Sequence, residues 1–162
     1  MRWEEFVEAC PEIADRAADR FRDDELCMLG TLRADGSPRI SPCELDFAAG
    51  HLILGMMWRS RKALDLLRDP RCVLHTCTTD RMGIEGDAKI YAHATDARDP
   101  AIRDPYREAV KARIDWAPDE PRFHAFAIDV DSAGFISFAE PRTVIAWDPQ
   151  RGTRTLSFPD GG

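Results

Sequence analysis

The stretch LCMLGTLRADGSPRISPCELDFAAGHLILGMM, residues 26–57, decides the fold. It divides into three apolar-rich runs, Leu26 to Arg33, Ser37 to Phe47 and His51 to Met57, separated by Ala34-Asp35-Gly36 and Ala48-Ala49-Gly50. Asp-Gly is a strong hairpin-turn signal, so the three runs read as an antiparallel meander. Pro38 and Pro42 remove two ladder donors from the second run. That strand therefore lies at an edge, is bulged, or turns part of its backbone toward a ligand.

Outward from the meander the pattern changes. Upstream, Trp3, Phe6, Val7, Cys10, Ile13, Ala14, Ala17, Ala18 and Phe21 recur at helical spacing, with Pro11 kinking the helix or starting a second one. Downstream, Ser60 to Arg68 reads as a short helix capped by Ser60, with Ala63, Leu64 and Leu67 inward, stopped at Asp69-Pro70. Strands follow at Arg71 to Thr78 and Gly83 to Thr95, then a helix from Asp104 to Trp116. The tail reads as strands Phe123 to Val130, Phe135 to Phe138, Thr143 to Trp147 and Thr153 to Phe158, with turns at Asp131 to Gly134 and Asp148 to Gly152. Two early hairpins argue against a doubly wound parallel sheet. Closing the strands into a barrel hides their edges, so the expectation is a mainly β fold with inserted helices (α+β), a mostly antiparallel barrel. One domain is expected over residues 1–162: a helical segment 1–22, then a barrel 26–158 carrying helices near 60–68 and 104–116.

Composition excludes other classes. Of 162 residues, 22 are Lys or Arg and 29 Asp or Glu, a formal charge of −7, which disfavours nucleic acid as a partner. No apolar run approaches a membrane span, and the acidic N-terminus lacks a signal-peptide core, so the reading is a cytoplasmic protein with no membrane partner. Five cysteines without a C-x-x-C pair read as reduced, mostly buried thiols. Cys72, His75 and Cys77 cannot all face one metal from a regular strand, and no metal site is expected.

Hydrolase, zincin, Walker and dinucleotide signatures are absent. Trp58-Arg59-Ser60-Arg61-Lys62-Ala63 carries the chemistry. A helix N-terminus presents unpaired N–H groups and a positive dipole end, where basic residues are mildly unfavourable. Arg61 and Lys62 there mark either a solvated basic turn or an anion site, in which a phosphate would satisfy the N–H groups, the Ser60 hydroxyl and both cations. Arg39, across a hairpin from the third strand, is placed to reach the same anion.

Arg39-Ile40-Ser41, Gly55-Met56-Met57, Ser60-Arg61-Lys62-Ala63 and Asp69-Pro70-Arg71 occur in an order that resembles the pyridoxamine 5'-phosphate oxidase-like split barrels, a flavin and deazaflavin oxidoreductase superfamily. The likeness runs from Leu26 to about Tyr91. It implies that Arg39, Ser60, Arg61 and Lys62 hold the phosphate of FMN, that the backbone around Ile40, Ser41 and Met57 lies along the isoalloxazine ring, and that Arg81 makes a further polar contact. It also implies a homodimer with cofactor between subunits, acting on a small-molecule substrate. The C-terminal Arg-His substrate pair of the vitamin B6 enzyme has no counterpart in Thr143 to Gly162, so that particular activity is not expected. The deazaflavin coenzyme F-420 shares the ribityl phosphate, and Arg59, Arg61 and Lys62 would begin a groove for its longer tail. A flavin carrier or sensor without catalysis and a purely structural dimer are the remaining readings. Hydride transfer from a flavin needs no side-chain acid or base, so no catalytic residue is nominated. Trp58 and Trp147 are read either as stacking near the ring or as core or dimer contacts.

Overall fold

The computed structural model describes residues 1–78 and 80–157. Its helices are α1 (Trp3–Ala9), α2 (Pro11–Asp24), α3 (Arg61–Arg68) and α4 (Pro100–Ile114). Its strands are β1 (Leu26–Leu32), β2 (Pro38–Ala48), β3 (His51–Met57), β4 (Arg71–Thr76), β5 (Asp87–Asp96), β6 (Phe123–Ser137), β7 (Thr143–Asp148) and β8 (Gly152–Thr155). Six strands close a barrel in the order β1-β2-β3-β6-β5-β4, every neighbouring pair antiparallel, with β7 and β8 extending the sheet from the far half of β6. Closure satisfies the ladder groups that an open sheet would leave at its rim.

Pro11 starts a second helix, as its missing N–H permits at the first helical position. Phe6, Ile13, Ala14, Ala17 and Phe21 are fully buried in one cluster with Leu29, Leu54, Leu74, Ile90 and Phe126 of the barrel. The helical segment thus plugs the barrel. Trp147, 5.0 Å from Phe6, belongs to that same core, which removes it from the candidates for stacking on a bound ring.

Several elements differ from the sequence reading. The expected turn at Asp131 to Gly134 is absent, because β6 runs unbroken through it. Tyr91 pairs with Ser132 and Ala92 with Val130, leaving Asp131 as the extra residue of a bulge. A bulge bends a strand without ending it, and here it lets the first half of β6 close on β3 while the second half leaves for β7. The polar, glycine-containing sequence of a bulge is the same signal that marks a turn. The fourth helix spans Pro100 to Ile114 rather than 104–116, because the Asp99 carboxylate caps Ala101 N–H at 2.9 Å and Pro105 is tolerated within the helix. The β4 strand ends at Thr76, β5 begins at Asp87, and the last strand stops at Thr155, with Phe158 outside the described residues. Among the described residues no helix is long and apolar enough to cross a membrane.

Candidate functional site

The barrel is parted along β2. Residues Pro38 to Glu44 pair with β1, whereas only Glu44 to Ala48 pair with β3. From Pro38 to Cys43 the strand therefore has one free edge. Glu44 faces Gly55 on β3, and backbone groups on one side of a strand recur every second residue, so those of Pro42, Ile40 and Pro38 point into the gap. The Lys62 ammonium confirms this orientation by donating to the Pro42 carbonyl at 2.5 Å. Neither proline has an N–H, so Ile40 carries the only backbone donor along this free edge. That is the reason for the proline spacing. It blocks strand addition while leaving one donor and its carbonyl available beside the exposed side chains of Ile40 (72%) and Met57 (80%).

Helix α3 begins in this gap. A turn at Trp58 and Arg59, the latter with φ 55°, is closed by Ser60 N–H donating to the Met57 carbonyl at 3.0 Å. Ser60 occupies the N-cap, yet its hydroxyl makes no cap bond and is buried with no hydrogen-bond partner among the described residues. The first turn holds no acidic residue. Arg61 is exposed and Lys62 half-buried. An unsatisfied buried hydroxyl, free helix N–H groups and two cations are the donor set that a phosphate completes.

Arg39 reaches α3 as well, but through a carboxylate that the sequence reading overlooked. Its Nε donates to Asp65 Oδ2 at 2.6 Å, and Thr31 Oγ1 donates to the same oxygen at 3.0 Å. Asp65 is 4% exposed. Burial alone would push its carboxyl up, but the hydrogen bonds from Arg39 and Thr31 and the Arg39 charge outweigh this and hold its pKa below the ordinary value. The buried face of α3 is consequently Ala63, Asp65 and Leu66, with Leu67 exposed, rather than Ala63, Leu64 and Leu67. Reading apolar periodicity assumes that charges face water, and a carboxylate paired from two other elements breaks that assumption.

Bonds between Ser60 and Met57, Lys62 and Pro42, and Arg39 and Asp65 thus bring the start of α3, with Arg61, to the free stretch of β2 that carries Ile40, whereas the backbone of Ser41 turns to β1 opposite Leu29. Arg81 does not join them. It lies in the β4–β5 connection, lining a separate hollow of about 290 Å³ with Asp80, Met82, Gly83 and Phe138.

Trp58 stacks on His124 at 4.6 Å and 7°, and both line a second hollow of about 480 Å³ with Leu67, Phe123, Arg103 and Glu120. His124 Nε2 is buried with no hydrogen-bond partner among the described residues. Burial is the main cause lowering the pKa of this imidazole; Asp96 opposes it, and Arg103 and Arg98 add to it. Its contribution to stability is complete above about pH 6.5, the value of a free imidazole, and is lost as pH falls below that, because the unfolded chain then takes up a proton that the folded chain refuses. Urea melts between pH 7.5 and 5 should show this loss, and His124→Gln should flatten it. An unchanged slope would place the titration elsewhere.

These features define a class, the antiparallel split barrel with a cationic helix start inside the split. The chain belongs to the pyridoxamine 5'-phosphate oxidase family, whose model matches residues 13–137. No curated protein matches the sequence. Among solved structures, a pyridoxamine 5'-phosphate oxidase-related, FMN binding protein from Nostoc punctiforme is similar, with TM-score 0.69 at 15% identity over 92% of this chain and 96% of that one. A NimC/NimA family protein from Clostridium acetobutylicum gives TM-score 0.69 at 12% identity, covering 88% and 97%. The heme storage protein HutZ from Vibrio cholerae gives 0.61 at 16% identity, covering 76% and 90%. At such identities the likeness is one of fold, and the fold serves FMN and heme proteins alike.

Proposed function

We propose that this chain is a flavin-dependent oxidoreductase that binds FMN at the interface of a homodimer and acts on a small molecule. The observation that carries the reading is the buried, unpartnered Ser60 hydroxyl beneath the first turn of a helix whose only charges there are Arg61 and Lys62. A phosphate accepts from all three and from the free N–H groups, while Arg39 approaches from β2. The ring would lie along the free edge of β2, where Ile40 presents its backbone N–H and carbonyl and Met57 an apolar wall. Bound there, FMN would supply hydride or single-electron transfer, and the protein would supply orientation, water exclusion and polar contacts. The exposed side chains of Ile40, Met57 and Trp58 beside the gap are the kind of apolar surface that a second copy covers. Arg81 has no part in the clamp of its own copy on this reading.

The deazaflavin coenzyme F-420 carries the same ribityl phosphate and would use the same clamp. The test is an absorption spectrum of the purified protein before and after adding FMN, the deazaflavin or heme, with any released chromophore identified by mass. FMN bound in preference to the others, with turnover of quinones by nicotinamide donors above the rate of free flavin, is the expected result. Tight FMN binding without turnover would make the protein a carrier or sensor, and binding of heme alone would overturn the phosphate clamp.

A further inference from the structure

Asp65 is a buried carboxylate on α3, one helical turn beyond Arg61, in a helix whose start is otherwise cationic. A negative charge so close to a phosphate site opposes binding unless something stands between them. Arg39 does. Its guanidinium is mostly buried, and the Nε atom, not the terminal nitrogens, makes the 2.6 Å bond to Asp65. Thr31 Oγ1 fixes the same carboxylate oxygen from β1, and Arg68 lies 3.5 Å from the other. A guanidinium held by its inner nitrogen keeps its outer pair free for a second partner in a fixed direction, which a lysine cannot do. A buried ion pair is seldom the most stable filling for such a space, since apolar residues of similar volume commonly do as well. The pair therefore suits a role beyond stability.

We infer that Asp65 is a positioning residue, holding Arg39 so that its terminal nitrogens meet the phosphate of the bound cofactor. This rests on the reading that the gap beside α3 binds a flavin phosphate. It makes a prediction opposite in sign to plain electrostatics. Deleting a negative charge near an anion site should tighten phosphate binding, whereas losing the orientation of Arg39 weakens it.

The experiment measures dissociation constants for FMN and riboflavin by flavin fluorescence quenching, in wild type, Asp65→Asn, Arg39→Lys and the double variant. The two ligands share ring and ribityl chain, so their affinity ratio reports the phosphate contact and does not move with general loss of stability. The expected result is a wild-type preference for FMN that falls about tenfold in Asp65→Asn and in Arg39→Lys, with no further fall in the double variant, as coupling through one guanidinium requires. Arg39→Lys retains the charge, so it reads the same geometry if Asp65→Asn fails to fold. A folded Asp65→Asn whose preference is unchanged or increased overturns the positioning role while leaving the phosphate site standing. If Asp65→Asn cannot be folded, an Arg39→Lys preference equal to wild type overturns it in the same way. A wild-type protein with no preference for FMN over riboflavin overturns both.

Discussion

Replacing Arg61 and Lys62 together by Ala is expected to weaken FMN binding by about a hundredfold or more, at roughly 1.5 to 3 kcal/mol for each charge-assisted bond lost. Riboflavin affinity should hardly change, because the loss is confined to the phosphate. Lys62 has a second role in the fold, since its ammonium ties the Pro42 carbonyl across the gap between β2 and α3. Arg61 is exposed and has no ion-pair partner among the described residues. The single Arg61→Ala variant should therefore leave thermal stability unaltered while lowering FMN affinity, and Lys62→Ala should lower both. Titration of purified protein with each flavin, beside thermal melts, separates these effects. Equal losses for FMN and riboflavin would place the phosphate elsewhere.

The largest stability effect is expected at Gly55. A Cβ built on this residue would lie 1.8 Å from the Tyr106 hydroxyl oxygen and 2.8 Å from its Cζ, so the ring of α4 rests directly on the backbone of β3. Tyr106 is buried in the outer cluster with Ile53, Val110, Phe123 and Ala125, and burial raises its pKa well above the ordinary phenol value. The ring is buried among these side chains, so it has little room to withdraw. Overpacking of this kind costs about 1 to 3 kcal/mol and sometimes more. For a domain of this size, Gly55→Ala should lower Tm by roughly 2 to 12 °C. Tyr106→Phe removes the closer of the two atoms and should restore part of the loss in the double variant. A Gly55→Ala protein melting like wild type would mean that α4 docks differently. Because Gly55 is also where β3 takes up its pairing with β2 at Glu44, FMN affinity should fall along with Tm.

What was legible in the sequence followed from local rules. Two Gly-containing turns divided residues 26–57 into the three strands that the structure shows, the prolines of β2 marked an interrupted ladder, whether an edge, a bulge or backbone turned toward a ligand, and the Ser-Arg-Lys turn marked a helix start rich in unpaired donors. Each of these depends on backbone geometry within a few residues. The identity of the barrel's neighbours was not legible, because pairing between β3 and β6 joins segments some seventy residues apart and leaves no local signature. For the same reason the bulge at Asp131 looked like a turn.

The inward face of α3 was misread because Asp65 is held inside by Arg39 from β2 and Thr31 from β1, partners that periodicity within the helix does not reveal. The stack of Trp58 on His124 likewise needs the end of β3 laid against the start of β6. By itself the sequence determined the two turns between β1, β2 and β3 and the cationic start of α3, since those follow from Gly, Pro and charge at adjacent positions. Only the tertiary structure decided which distant side chains meet Asp65 of that helix, since burying a charge is tolerable only when the closed barrel brings its partners to it.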